Sequence, residues 1–135
     1  MKILKWKRLL FELFLVSFVI LTLFSACKPT PKIGKSLEQD KLLDGIYEGS
    51  FKGGPNYAEV KVTIKGQKIV SIEIIKHDAW KGKKAEPIIP KRIIEQQSTD
   101  VDAVSGATNS SHVIMNAVQR AIEKSYAAKT DAVEN

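Results

Sequence analysis

Between Tyr57 and Lys65 apolar and polar side chains alternate. Val60, Val62 and Ile64 fall on one side, and Glu59, Lys61 and Thr63 on the other. A period of two predicts a strand with one buried face. The run Lys68–Ile75 repeats the pattern, and only Gly66-Gln67 separates the two, so they read as a hairpin. A shorter strand, Gly45–Phe51, follows an Asp44-Gly45 turn, and Gly53-Gly54-Pro55-Asn56 forms the loop to the next strand. Beyond residue 86 the period changes. Pro87 and Pro90 bracket Ile88 and Ile89, which predicts an extended approach to a helix starting near Pro90, with Ile93, Ile94 and Gln97 on one face. In the last helix Val113, Ile114, Ala117, Val118, Ala121 and Ile122 recur at the spacing of one buried stripe, with Arg120, Glu123 and Lys124 outside it. Strands first and helices after predict an α+β domain: a small antiparallel sheet packed against two or three helices.

The start of the chain follows a third pattern. Lys2, Lys5, Lys7 and Arg8 precede an apolar stretch from Leu13 to Phe24, which ends at Ser25-Ala26-Cys27. Residues 1–26 read as a targeting leader rather than as part of the fold. The small residues before the single cysteine resemble a lipoprotein processing site, with Cys27 as the lipidated residue carrying palmitate-type acyl chains. The alternatives are a simple cleaved secretory peptide and an uncleaved anchor. All three place the domain on the outer side of the cytoplasmic membrane. Two acyl chains, at about 0.8 kcal/mol per buried methylene, anchor stably where one does not. Residues 27–40 have no apolar period and read as a tether. Residues 41–130 form one domain, and 131–135 a tail.

Charge and cysteine content narrow the possibilities. The net charge of +6 includes Lys2, Lys5, Lys7, Arg8 and Glu12; without the leader it is +3. That is ordinary for a small domain and argues against nucleic acid as a partner, which needs a clustered basic face. One cysteine and two histidines supply neither a structural disulfide nor a metal-ligand cluster. No Ser–His–Asp constellation can be assembled, so no catalytic residue is assigned.

The chemistry concentrates at Val101-Asp102-Ala103-Val104-Ser105-Gly106-Ala107-Thr108-Asn109-Ser110-Ser111, just before the last helix. The first amides of a helix lack intrahelical acceptors, and the helix dipole there favours an anion. Gly106 allows positive φ and close approach of a ligand. Hydroxyl-rich turns are also ordinary helix caps, so these features alone leave phosphate binding and capping both open.

The string Asp102-Ala103-Val104-Ser105-Gly106-Ala107-Thr108 resembles the D-x-x-S/T-G-A-T signature of the FMN-binding domain family, which includes flavoprotein subunits of sodium-pumping quinone reductases and Rnf-type complexes. Asp44–Gly49, Gly66–Val70 and Ile94–Ser98 resemble that family's opening strand, hairpin turn and pre-motif helix. The resemblance implies that a flavin transferase attaches FMN covalently, through its phosphate, to Thr108. Ser105, Gly106 and Ala107 would form the presenting turn. Asp102 serves transferase recognition, shapes the turn, or is a surface cap. Ser110 and Ser111 either bind the phosphate or cap the helix. His77 and Trp80, after the third strand, either face the flavin ring or are a solvated turn residue and an apolar anchor. The expected function is a membrane-anchored electron carrier with membrane or surface redox partners. The alternative is a non-redox lipoprotein that uses the domain as a binding or scaffold module.

Overall fold

The computed structural model describes residues 2–23 and 29–134. Helix α1 (Lys2–Leu23) is followed by strands β1 (Gly45–Gly53), β2 (Asn56–Lys65) and β3 (Lys68–Asp78), then helices α2 (Ile89–Gln96) and α3 (Thr108–Glu134). The strands form one antiparallel sheet in the order β1-β2-β3. Helix α3 lies across β1 and β2, and α2 against β3. The α+β expectation therefore holds. Ala58, Val60, Val62 and Ile64 of β2 face the fully buried stripe of α3, and Ile89 and Ile93 of α2 close the core.

The side chains of α1 from residue 3 to 17 are exposed, Trp6 and Phe14 among them. Among the described residues no helix is long and apolar enough to cross a membrane. Cys27 and the Ser25-Ala26 junction lie outside the described residues.

The β2–β3 turn follows from local chemistry. Gly66 (φ +60°) and Gln67 (φ +59°) both have positive φ, as the mirror-image turn matching strand twist requires. The Asp44 carboxylate accepts hydrogen bonds from the amides of Gly66 (2.8 Å) and Gln67 (3.0 Å). Those amides, Gln67 first, hold its carboxyl below the usual carboxylate range. A group with a lowered folded pKa stabilises the fold above its unfolded pKa and loses that contribution as pH falls through the folded value. Thermal melts of Asp44→Asn should therefore lie below wild type from about pH 5 upward and converge with it in acid, once the carboxyl is protonated in both the folded and the unfolded chain. A gap that stays constant across that range would show that the carboxylate's charge is irrelevant.

Two expectations need correction. The approach to α2 is not extended. A 3-10 turn, Lys83–Ala85, runs on through Ile88, whose backbone is right-handed helical and whose carbonyl accepts from the Arg92 amide at 3.0 Å. This winding buries Ala85 and Ile89 together. Helix α2 ends at Gln96, and Gln97 is left-handed (φ +48°). Its side-chain amide pairs with both the N–H and the carbonyl of Ile69, each at 2.9 Å, closing the edge of β3.

Residues 29–40 are not a free tether. Their backbone is held by α3 and the segment before it. The Ile33 amide donates to Asn116 Oδ1 (3.0 Å), Asn116 Nδ2 donates to the Pro31 carbonyl (2.7 Å), and the Glu38 amide donates to the Tyr126 hydroxyl (2.9 Å). Thr99 bonds Lys35 through both its amide and its hydroxyl. A stretch without apolar periodicity is ordered here because side chains elsewhere supply partners for its backbone, so the folded unit begins near Thr30.

Candidate functional site

The signature segment is built by alternation. Val101, Val104 and Ala107 are buried, while Asp102, Ser105, Gly106 and Thr108 are exposed. The Ala107 amide donates to the Val104 carbonyl at 2.9 Å, closing a turn around Ser105-Gly106. Gly106 has φ +71°, which that turn demands at its third position. Ser111 bolts the turn to α3. Its hydroxyl donates to the Ala107 carbonyl (2.8 Å) and accepts from the Val104 amide (3.0 Å). It is fully buried. Of the two roles left open for Ser111, phosphate binding or holding the helix start, its hydroxyl is occupied by the second, tying the loop to α3. From the other side, Arg92 Nη1 donates to the Asp102 carbonyl at 2.6 Å, which fixes the loop to α2. The Asp102 side chain itself is exposed.

The Ser111 amide bonds the Ala107 carbonyl at 2.8 Å, so Ala107 occupies the N-cap position and Thr108 the first helical one. An alanine cannot cap. Among the described residues, the amides of Thr108, Asn109 and Ser110 are left without a side-chain acceptor at the positive end of a 27-residue helix. Thr108 is exposed there, and Asn109 Oδ1 accepts from the Thr30 amide at 3.3 Å.

A cavity of about 300 Å³ opens at this helix end, lined by Gly106, Thr108, Asn109 and Ser110 together with Pro55 and Trp80. Pro55 comes from the β1–β2 turn and Trp80 from the segment after β3. Trp80 is 93 % exposed, and Lys81 Nζ lies 5.2 Å from its ring centroid. Gly82 also lines the cavity; a Cβ there would overlap the Ser110 hydroxyl, so only glycine lets this segment lie against the first turn of α3.

His77 is not part of the cavity. Its side chain is 1 % exposed, and Nδ1 lies 2.8 Å from Glu86 Oε1, with Nε2 buried. It pairs with Ala58 across the sheet and therefore shares the core-facing side of β3. His77 thus neither faces the cavity nor is a solvated turn residue; of the two, Trp80, three residues on, is the one that lines the cavity.

Lys81, Gly82, Lys84 and Asn109 escaped the sequence reading. Lys84 Nζ lies 2.8 Å from where a Gly106 Cβ would sit. The run Lys81-Gly82-Lys83-Lys84 was the available signal, but nothing local tied it to a motif more than twenty residues away.

The arrangement suits a phosphorylated ligand with a flat ring: uncapped helix amides, a turn without a Cβ, an accessible hydroxyl, and an exposed indole beside them. This defines a small flavin-binding module. A family model for the FMN-binding domain matches residues 52–123, and the chain belongs to that family. A Treponema pallidum (strain Nichols) protein, named only as uncharacterized, is 32 % identical over 87 residues, which cover 62 % of this chain and 24 % of that protein. The chain thus spans about a quarter of that relative's length.

Gly106→Val tests the cradle. The neighbour that a Cβ would meet is the flexible end of Lys84, so the cost comes from the positive φ and from blocking the approach to Thr108. Flavin incorporation is expected to fall much further than the melting temperature. Incorporation at the wild-type rate would reduce Gly106 to a tolerant loop residue.

Proposed function

We propose that this chain is an electron-transfer flavoprotein on the outer face of the cytoplasmic membrane, anchored by lipid on Cys27 and carrying FMN as a phosphoester on Thr108. The observation that carries the reading is the exposed Thr108 hydroxyl at an uncapped helix start, on the same cavity as Trp80. FMN, when bound, supplies the reversible redox chemistry; the protein's part is to hold and orient it. Thr108 provides the attachment oxygen, the amides of residues 108–110 receive the phosphate charge, and Trp80 offers a face to the ring. Ser105, Gly106 and Ala107 present the threonine to a flavin transferase, for which Asp102 is an exposed recognition element.

The open cavity favours a carrier. An enzyme acting on a small substrate needs a pocket that encloses flavin and substrate together. A shallow site leaves a ring edge accessible to membrane or surface redox partners. A covalent bond also retains the cofactor where a lost one could not be recovered.

The decisive experiment is the intact mass of the mature protein made in its native host, which reports lipid and flavin at once. The expected result is a chain starting at Cys27 with acyl chains and one FMN phosphoester that survives acid denaturation. A mass without flavin would leave the non-redox binding or scaffold module. A mass that retains residues 1–26 would turn the lipid anchor into an uncleaved one.

A further inference from the structure

We infer that Lys84 is the positioning residue for the FMN phosphate, an assignment that rests on Thr108 as the attachment site. Three observations converge. Lys84 Nζ lies 2.8 Å from where a Gly106 Cβ would be, directly over the turn that presents Thr108. Among the described residues no carboxylate forms an ion pair with it. Its place is also fixed. The turn Lys83–Ala85 is closed by the Ala85 amide on the Gly82 carbonyl (3.0 Å), Ala85 is fully buried, and Gly82 lies against Ser110 in a contact that only glycine allows.

A lysine aimed at a positive helix end is electrostatically unfavourable unless an anion is shared between them. A phosphodiester on Thr108 carries one negative charge at pH 7 and fits that place. The helix amides bind it from one side and the ammonium from the other, with charge-assisted hydrogen bonds. Lys81 differs: its ammonium stands over the Trp80 ring.

The test uses the full chain from a flavinylating host. At neutral pH the ³¹P resonance of the loaded protein reports which charge stands beside the phosphodiester. Lys84→Met should move that resonance away from its wild-type position and slow flavin incorporation by roughly tenfold, the effect of losing one charged hydrogen bond. Lys84→Arg, which keeps a positive donor at that place, should restore incorporation and bring the resonance back toward wild type. Lys68→Met, exposed at the β2–β3 hairpin and outside the cavity, should leave both readouts at their wild-type values. A Lys84→Met protein with the wild-type resonance or the wild-type rate overturns the role of Lys84 and leaves Thr108 standing. A wild-type mass without covalent flavin overturns both.

Discussion

Thr108→Ala is expected to yield a folded, colourless protein from a host that flavinylates the wild type. The hydroxyl is the proposed point of attachment, and no other exposed hydroxyl occupies the first position of α3. The fold should be almost indifferent to the change. Ala107, not Thr108, stands at the N-cap, so no cap is lost, and alanine is the better helix former; the shift should stay within about 0.5 kcal/mol. Thr108→Ser keeps an oxygen at the same place and should retain some attachment. In-gel flavin fluorescence after denaturation, beside a thermal melt, separates these outcomes. Fluorescence that survives in the alanine variant would move the attachment elsewhere, and a collapsed melt would make Thr108 structural.

Gly49→Ala should be the most damaging small substitution in the domain. Gly49 lies mid-way along β1 on the face under α3. A Cβ there would intrude on the Ala117 carbonyl oxygen and stand 2.5 Å from the Ala121 amide nitrogen. Both are helix backbone atoms, which cannot turn aside as a side-chain tip does. Helix and sheet would have to separate along the surface that buries Val113, Ala117 and Ala121. Overpacking of this kind costs about 3 kcal/mol or more. For a domain of this size that is a fall in Tm of roughly 10–20 °C. Ser50→Ala, one residue on and exposed, should stay within about 0.5 kcal/mol. Equal melts for the two variants would show that α3 does not approach β1 this closely.

The two positions show different degrees of legibility. Thr108 could be found because a motif is contiguous: seven consecutive residues and a following helix carry the signal. Gly49 could not, because nothing in Tyr47-Glu48-Gly49-Ser50 reveals that a helix almost seventy residues later crosses at that point. The hairpin at Gly66-Gln67 was readable from spacing, yet its clamp by Asp44 joins residues 22 apart. Residues 27–40 lack apolar period and so read as a tether; the Asn116, Tyr126 and Thr99 side chains that order the part from Thr30 onward are remote in the chain.

By itself the sequence determined the alternation of β2 and β3, the turn between them, the apolar stripe of α3 and the phosphate-suited string before it. All of these are periodic or contiguous, and each is governed by backbone geometry over a few residues. Tertiary structure alone decided which groups of the motif are exposed and which are buried. Advancing about 100° per residue, α3 turns Thr108 and Asn109 outward and buries Ser110 and Ser111, although all four offer similar polar groups to a reader of the sequence. The packing of β3 turned His77 into the core and left Trp80 outside, and the fit of Gly82 against Ser110 carried Lys84 to Gly106. Those choices depend on which faces must be buried against one another, and that is set by the whole folded chain.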